Sequence, residues 1–123
     1  MAPQPAPQPQ PGWGALYAAG AAHGLAVGRA DRAEALGAAA ALCARRSLDC
    51  RLVAEFTGRC GAVAQAVDRE VLVALRPLGP ASIMATAAGA GPTREQAQRA
   101  ALENCSRQGS GICVLVAGAC NER

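Results

Sequence analysis

The sequence predicts an α+β domain in which a ββαβ unit occurs twice, giving an antiparallel sheet of about six strands with two helices on one face. Three observations point there. Two helical windows, residues 31–47 and 93–109, superimpose with an offset of 62 residues. Each is preceded by two short apolar stretches broken by turn residues and followed by a β-rich run. Six cysteines fall at matching places in the two copies.

Residues 1–12 (MAPQPAPQPQPG) alternate Pro with small or polar residues, a composition that favours extended polyproline II and makes a tether of this stretch. It has neither a basic n-region nor an apolar h-region, and reads as the start of a mature chain with a Met placed in front. One domain is expected over residues 13–123, with halves at about 13–60 and 61–123.

In the first half, Trp13–Ala19 and residues 25–30 read as strands around a turn at 20–24. In the second, residues 61–67 and 82–89 take these places. Each helix opens with a capping box, Asp31 with Glu34 and Thr93 with Gln96, in which a side-chain acceptor meets orphaned amides and its partner three residues on reciprocates. Small residues then recur at helical spacing, Ala35, Ala39 and Cys43 in one and Ala97, Ala101 and Cys105 in the other. A face that narrow lets a sheet approach closely. Cys50 and Cys113 open the following strands. Residues 71–81 have no counterpart in the first half, and Pro77 and Pro80 make them a loop or an edge excursion, with 71–75 as a possible extra strand.

The composition restricts function more than it specifies it. Of 123 residues, 31 are Ala and 14 are Gly, so the core is thin. With one Trp, one Tyr and one Phe, base-stacking platforms and aromatic cation cages lack their material. All 12 basic residues are Arg, scattered along the chain, and a net charge of +3 without a concentrated stripe argues against nucleic acid. No apolar run is long enough for a membrane span.

Six cysteines beside such a core read as three disulfides in a protein living outside the reducing cytosol, secreted or periplasmic. Of the 15 possible pairings, the repeat makes one most economical. Cys43 bonds Cys50 and Cys105 bonds Cys113, each fastening a helix end to the next strand. Cys60 and Cys120, placed at the ends of the third strands, then staple the halves together.

Trp13-Gly14-Ala15, a helix ending in Cys43, Asp49-Cys50-Arg51, Cys60-Gly61-Ala62, Gly91 and Thr93 before a helix with Cys105, then Cys113 and Cys120-Asn121 together resemble the secreted bacterial family called domain of unknown function 4189. The resemblance runs from Trp13 to Asn121. It implies export and a disulfide-bonded ββαβ repeat, with no agreed activity; some members resemble exported factors acting on host cells or competitors. This chain departs from the family in its shortage of aromatics, particularly in the second half.

Chemical motifs are weak. His23 is the only histidine and falls in the expected turn, with no free thiolate to pair with once the cysteines are bonded. Ser47, Ser82, Ser106 and Ser110 lie outside any G-x-S-x-G elbow. The cysteine gaps contain no C-x-x-C knuckle for a metal. The stretch 88–93 resembles a phosphate loop only in its glycines, since the chain has no Lys. The acids lack apolar cleft walls that would raise one carboxyl for glycosidase chemistry. No catalytic residue, cofactor or metal is therefore assigned.

What remains is an exported, non-enzymatic domain that binds another protein, as a monomer or weak dimer, in the role of an effector or an immunity-type inhibitor. The expected contacts are Trp13 and Tyr17, Phe56 with Arg59 before Cys60, and Arg76 and Leu78 in the 75–80 loop, because Trp, Tyr and Arg are common interface anchors. The competing view of the three aromatics is that they are the largest members of a thin core. The alternatives for function are a small secreted hydrolase with an unrecognised site, or a structural cell-envelope protein.

Overall fold

The computed structural model describes residues 12–68, 83–109 and 111–121. Its elements are β1 (Trp13–Ala19), β2 (Ala22–Arg29), α1 (Arg32–Ala44), β3 (Arg51–Thr57), β4 (Cys60–Val67), β5 (Ile83–Gly91), α2 (Arg94–Arg107) and β6 (Ile112–Cys120). This is the duplicated ββαβ unit with six antiparallel strands and two helices. The strands hydrogen-bond as two three-stranded sheets, in the orders β2-β1-β3 and β5-β4-β6. Each repeat thus closes its own sheet and carries its own helix.

Strand alternation explains the layering. Ala15 and Ala26 turn to one side of the first sheet and pack on Ala35 and Ala39 of α1, with Tyr17 alongside. Leu16 turns the other way and meets Val63 and Ala88 of the second sheet, together with Leu25, Ala54, Phe56 and Ala117. In β4, Ala62, Ala64 and Ala66 pack on Ala97, Ala101 and Cys105 of α2. The sheets therefore face each other, with the helices outside. Every residue of β4 is buried, as expected of a strand covered on both faces. The residues buried from each helix are the three small ones that its spacing singled out.

Methyl-sized packing requires close approach. A Cβ on Gly24 would stand 2.2 Å from the Ala39 carbonyl oxygen, and one on Gly89 would stand 2.1 Å from the Ala101 nitrogen. Glycine at both places lets the helix backbone rest on the strand. The largest fully buried side chains are Leu16, Val63, Val67, Cys43 and Cys105, so the core is thin in fact as well as in composition.

The duplication reaches individual bonds. Both third strands slip register once, between Leu16 and Tyr17 in the first sheet and between Val63 and Ala64 in the second. The Gly58 amide donates to the Gly12 carbonyl at 3.1 Å, and at the same place in the second repeat the Asn121 amide donates to the Arg59 carbonyl at 2.7 Å.

All three expected disulfides are present, Cys43–Cys50, Cys105–Cys113 and Cys60–Cys120. The placement of Cys60 is corrected. The chain bends at Gly58 and Arg59, so Cys60 opens β4 instead of closing β3, and it faces Cys120 across β4 and β6. That bond joins two strands of one sheet, not the two halves. Burial of Leu16 and Val63 between the sheets, with the partly buried Phe56 packed on them, holds the halves together instead.

Other boundaries also move. Gly20 adopts a left-handed φ of 55°, which permits a two-residue turn closing Ala19 on Ala22. His23 and Gly24 consequently lie in β2, not in a turn. Both N-caps form, with Asp31 Oδ1 accepting from the Glu34 amide at 2.8 Å and Thr93 Oγ1 from the Gln96 amide at 3.2 Å. The reciprocal arms differ from a full capping box. Glu34 accepts from the Ala30 amide, and the Gln96 side chain meets the Thr93 hydroxyl.

Candidate interaction surfaces

Along β1, Trp13, Ala15 and Tyr17 share the face on which α1 lies, opposite Thr57, Glu55 and Leu52 of β3. Helix α1 packs on β1 and β2 and barely reaches β3, whereas α2 packs against all three strands of its sheet. The outer face of β3 is therefore left open. Trp13 is 37% exposed and Leu52 43% exposed there, with Tyr17 half-buried opposite Leu52 and packed on the α1 cluster. Arg32 from the first turn of α1 crosses this face and pairs with Glu55, its Nη2 donating to Oε2 at 3.1 Å. The bond to Arg32 holds the Glu55 carboxyl below its ordinary value and raises the guanidinium. Glu55 and Arg32 stand between Trp13 at one end of the face and Leu52 with Tyr17 at the other, so the exposed ion pair divides the apolar surface in two.

The structure places the remaining expected contacts elsewhere. Phe56 alternates to the opposite face of β3 and lies between the sheets, where a Cβ on Gly14 would meet its ring at 2.1 Å and one on Gly61 at 2.7 Å. The two glycines make the slot that the ring fills. Arg59 turns across the end of the second sheet, its Nε donating to the Asn121 carbonyl at 3.3 Å. Arg76 and Leu78, with the 75–80 loop, lie outside the described residues. Trp13 and Tyr17 thus share a face of β1, four residues apart, and Phe56 and Arg59 lie elsewhere.

Sequence reasoning missed Leu52 and Gln65. The register slip at Val53 interrupts alternation in Arg51-Leu52-Val53, so the run carries no inside and outside to read. Gln65 was visible as the lone polar residue in 61–67. It is 4% exposed, and its Nε2 donates to the Gly20 carbonyl at 3.3 Å and to Thr86 Oγ1 at 3.4 Å. It ties the first repeat's hairpin to the second repeat's central strand.

His23 Nδ1 lies 3.4 Å from the Ala21 carbonyl, two residues away. Among the described residues, no group of three or more His, Cys, Asp or Glu side chains gathers at a metal-binding distance.

A protein-family model described as domain of unknown function (DUF4189) matches residues 13–120, nearly the whole chain beyond its Pro-rich start. No curated protein and no solved structure matches.

Proposed function

The chain belongs to the DUF4189 family, and from that premise we propose that it is an exported, non-enzymatic domain that works by binding another protein. The observation that carries this reading is the open outer face of β3, where α1 leaves Trp13 and Leu52 exposed on either side of the Arg32–Glu55 pair, with the half-buried Tyr17 beside Leu52. A Trp and a Tyr seated on a strand lose little conformational freedom on docking. Three disulfides, with no cysteine left free, support residence in an oxidising compartment, secreted or periplasmic. In that setting the domain serves as an effector or as an immunity-type inhibitor, and the identity of its partner decides between them.

The test is capture by the oxidised protein, immobilised through its N-terminal segment, from secreted and envelope fractions. Wild type is compared with Leu52→Lys and Trp13→Ser, each verified by mass to hold three disulfides. The expected result is one stoichiometric partner, lost with both variants. Material that binds all three forms alike, or no partner at all, overturns the reading and directs work to envelope association and to turnover screening.

A further inference from the structure

A groove runs between the two repeats on the side away from β3. One wall is His23, Gly24 and Leu25 of β2 with Leu42, Arg45 and Arg46 at the end of α1, and the other is Val116, Ala117, Gly118 and Ala119 of β6. Strand β6 ends its sheet's order, so one of its edges has no strand partner among the described residues. Exposed edges are usually protected by charged residues, proline or a bulge. The nine residues of β6 (ICVLVAGAC) include neither charge nor proline, and their one irregularity on the β4 side is the register slip at Val116. Ala117, Gly118 and Ala119 also carry too little side chain to shield their own amides and carbonyls.

The facing wall is positively charged. Arg29 and Arg32 pair with Glu34 and Glu55, but neither Arg45 nor Arg46 pairs with a carboxylate of the described residues. Both are exposed, and among the described residues no acidic side chain lines the groove. The hollow beside β5, the other edge of that sheet, is lined among the described residues by Val53, Ile83 and Met84 with small and uncharged neighbours. Among the described residues, the combination of a strand edge without a partner and guanidinium groups without a carboxylate belongs to β6.

We propose that this groove takes an extended acidic segment of a partner protein, which adds to the edge of β6 as a further strand while its carboxylates meet Arg45 and Arg46. Main-chain hydrogen bonds give such an addition its affinity, and alternate side chains give it specificity. Here alternate residues of the incoming strand face the β2 and α1 wall, where apolar Leu25 and Leu42 lie beside the Arg45 and Arg46 guanidinium groups. Rim charges of this kind steer and select more than they tighten. The proposal rests on the reading of the domain as a protein binder, but at a surface separate from Trp13, Tyr17 and Leu52.

The test uses the oxidised full chain and a short peptide alternating valine with glutamate, followed by fluorescence anisotropy and by backbone amide NMR. Saturable binding with shifts at Val116 to Ala119 is expected, weakened by about tenfold or more when lysine replaces glutamate or in the double variant Arg45→Glu, Arg46→Glu. N-methylation of alternate peptide amides should abolish it. Equal binding of the lysine peptide or of the N-methylated peptide overturns the proposal, and the peptide comparison needs only the wild-type fold. Tighter binding of polygalacturonate at the same residues also overturns it, in favour of an anionic polysaccharide. A partner captured through Leu52 while the peptide fails to bind removes this proposal alone. Peptide binding without any Leu52-dependent capture supports it and removes only the Trp13 surface.

Discussion

Trp13 and Cys60 hold equivalent places in the two repeats: Trp13 faces Thr57 across β1 and β3, and Cys60 faces Cys120 across β4 and β6. One repeat closes its sheet end with a covalent bond, and the other leaves a large side chain there. The bond spans 60 residues, against 7 for Cys43–Cys50. In the chain-entropy account it therefore constrains the unfolded chain more, about 4 kcal/mol against about 2.5 kcal/mol. The pair Cys60→Ser, Cys120→Ser should lower the urea midpoint further than Cys43→Ser, Cys50→Ser, with the native circular dichroism of both kept.

Helix docking on glycine makes an opposite pair of predictions. Gly24→Ala and Gly89→Ala push a methyl into the helix backbone, so each should cost about 1–3 kcal/mol. Gly37 lies exposed within α1 with nothing near its missing Cβ. Gly37→Ala should stabilise by about 0.5–1 kcal/mol through helix propensity. Thermal unfolding of the three single variants separates the two effects.

Gln65 joins the repeats as a hydrogen-bond donor, and a carboxylate cannot donate. Gln65→Glu should therefore be destabilised at neutral pH by about 1–3 kcal/mol, the cost of a buried group without its partner. Burial facing the Gly20 carbonyl raises the carboxyl's value in the folded state above that in the unfolded state. A raised value gives stability that is present in acid and lost as pH rises through it. Unfolding midpoints of the variant should thus recover on acidification, whereas Gln65→Leu should show no such recovery.

Much of this fold was legible because its signals are local. Capping residues Asp31 and Thr93, small residues at helical spacing and the paired helix-end cysteines each depend on neighbours a few positions away, and all formed. Cys60 was misplaced because its assignment depended on where the chain turned, and Gly58-Arg59 is a weak turn signal beside the apolar run that follows. How six strands divide between sheets depends on side chains from both repeats meeting, such as Leu16 with Val63, and no periodicity in one strand encodes it. The β3 surface was half legible. Trp13 and Tyr17 alternate visibly along β1, but Leu52 joins them only through a register slip, and its exposure depends on how far α1 extends.

The ion pair on that surface makes stability depend on pH in a defined direction. Arg32 holds the Glu55 carboxyl below its ordinary value. A lowered value contributes stability above the ordinary carboxylate range and loses it as pH falls through the folded-state value. Both groups are exposed, so the effect is small. Glu55→Gln should be slightly less stable than wild type at neutral pH, and urea midpoints of the two should converge in acid.

Phe56 and Leu52 stand on opposite faces of β3, and substituting each should damage a different property. Phe56 fills the slot over Gly14 and Gly61 between the sheets. Phe56→Ala empties it and should cost about 3 kcal/mol, read as a lower urea midpoint. The protein that remains folded should still capture its partner, because the ring does not reach the outer face. Leu52→Lys should do the reverse, since an exposed strand position changes stability by about 0.5 kcal/mol or less while the substitution places a charge on the apolar surface that Leu52 shares with Tyr17. Capture measured with equal amounts of folded protein distinguishes them. Loss of capture with Phe56→Ala at full folding would move the binding surface to the space between the sheets, and loss with Leu52→Lys alone keeps it on the open face of β3.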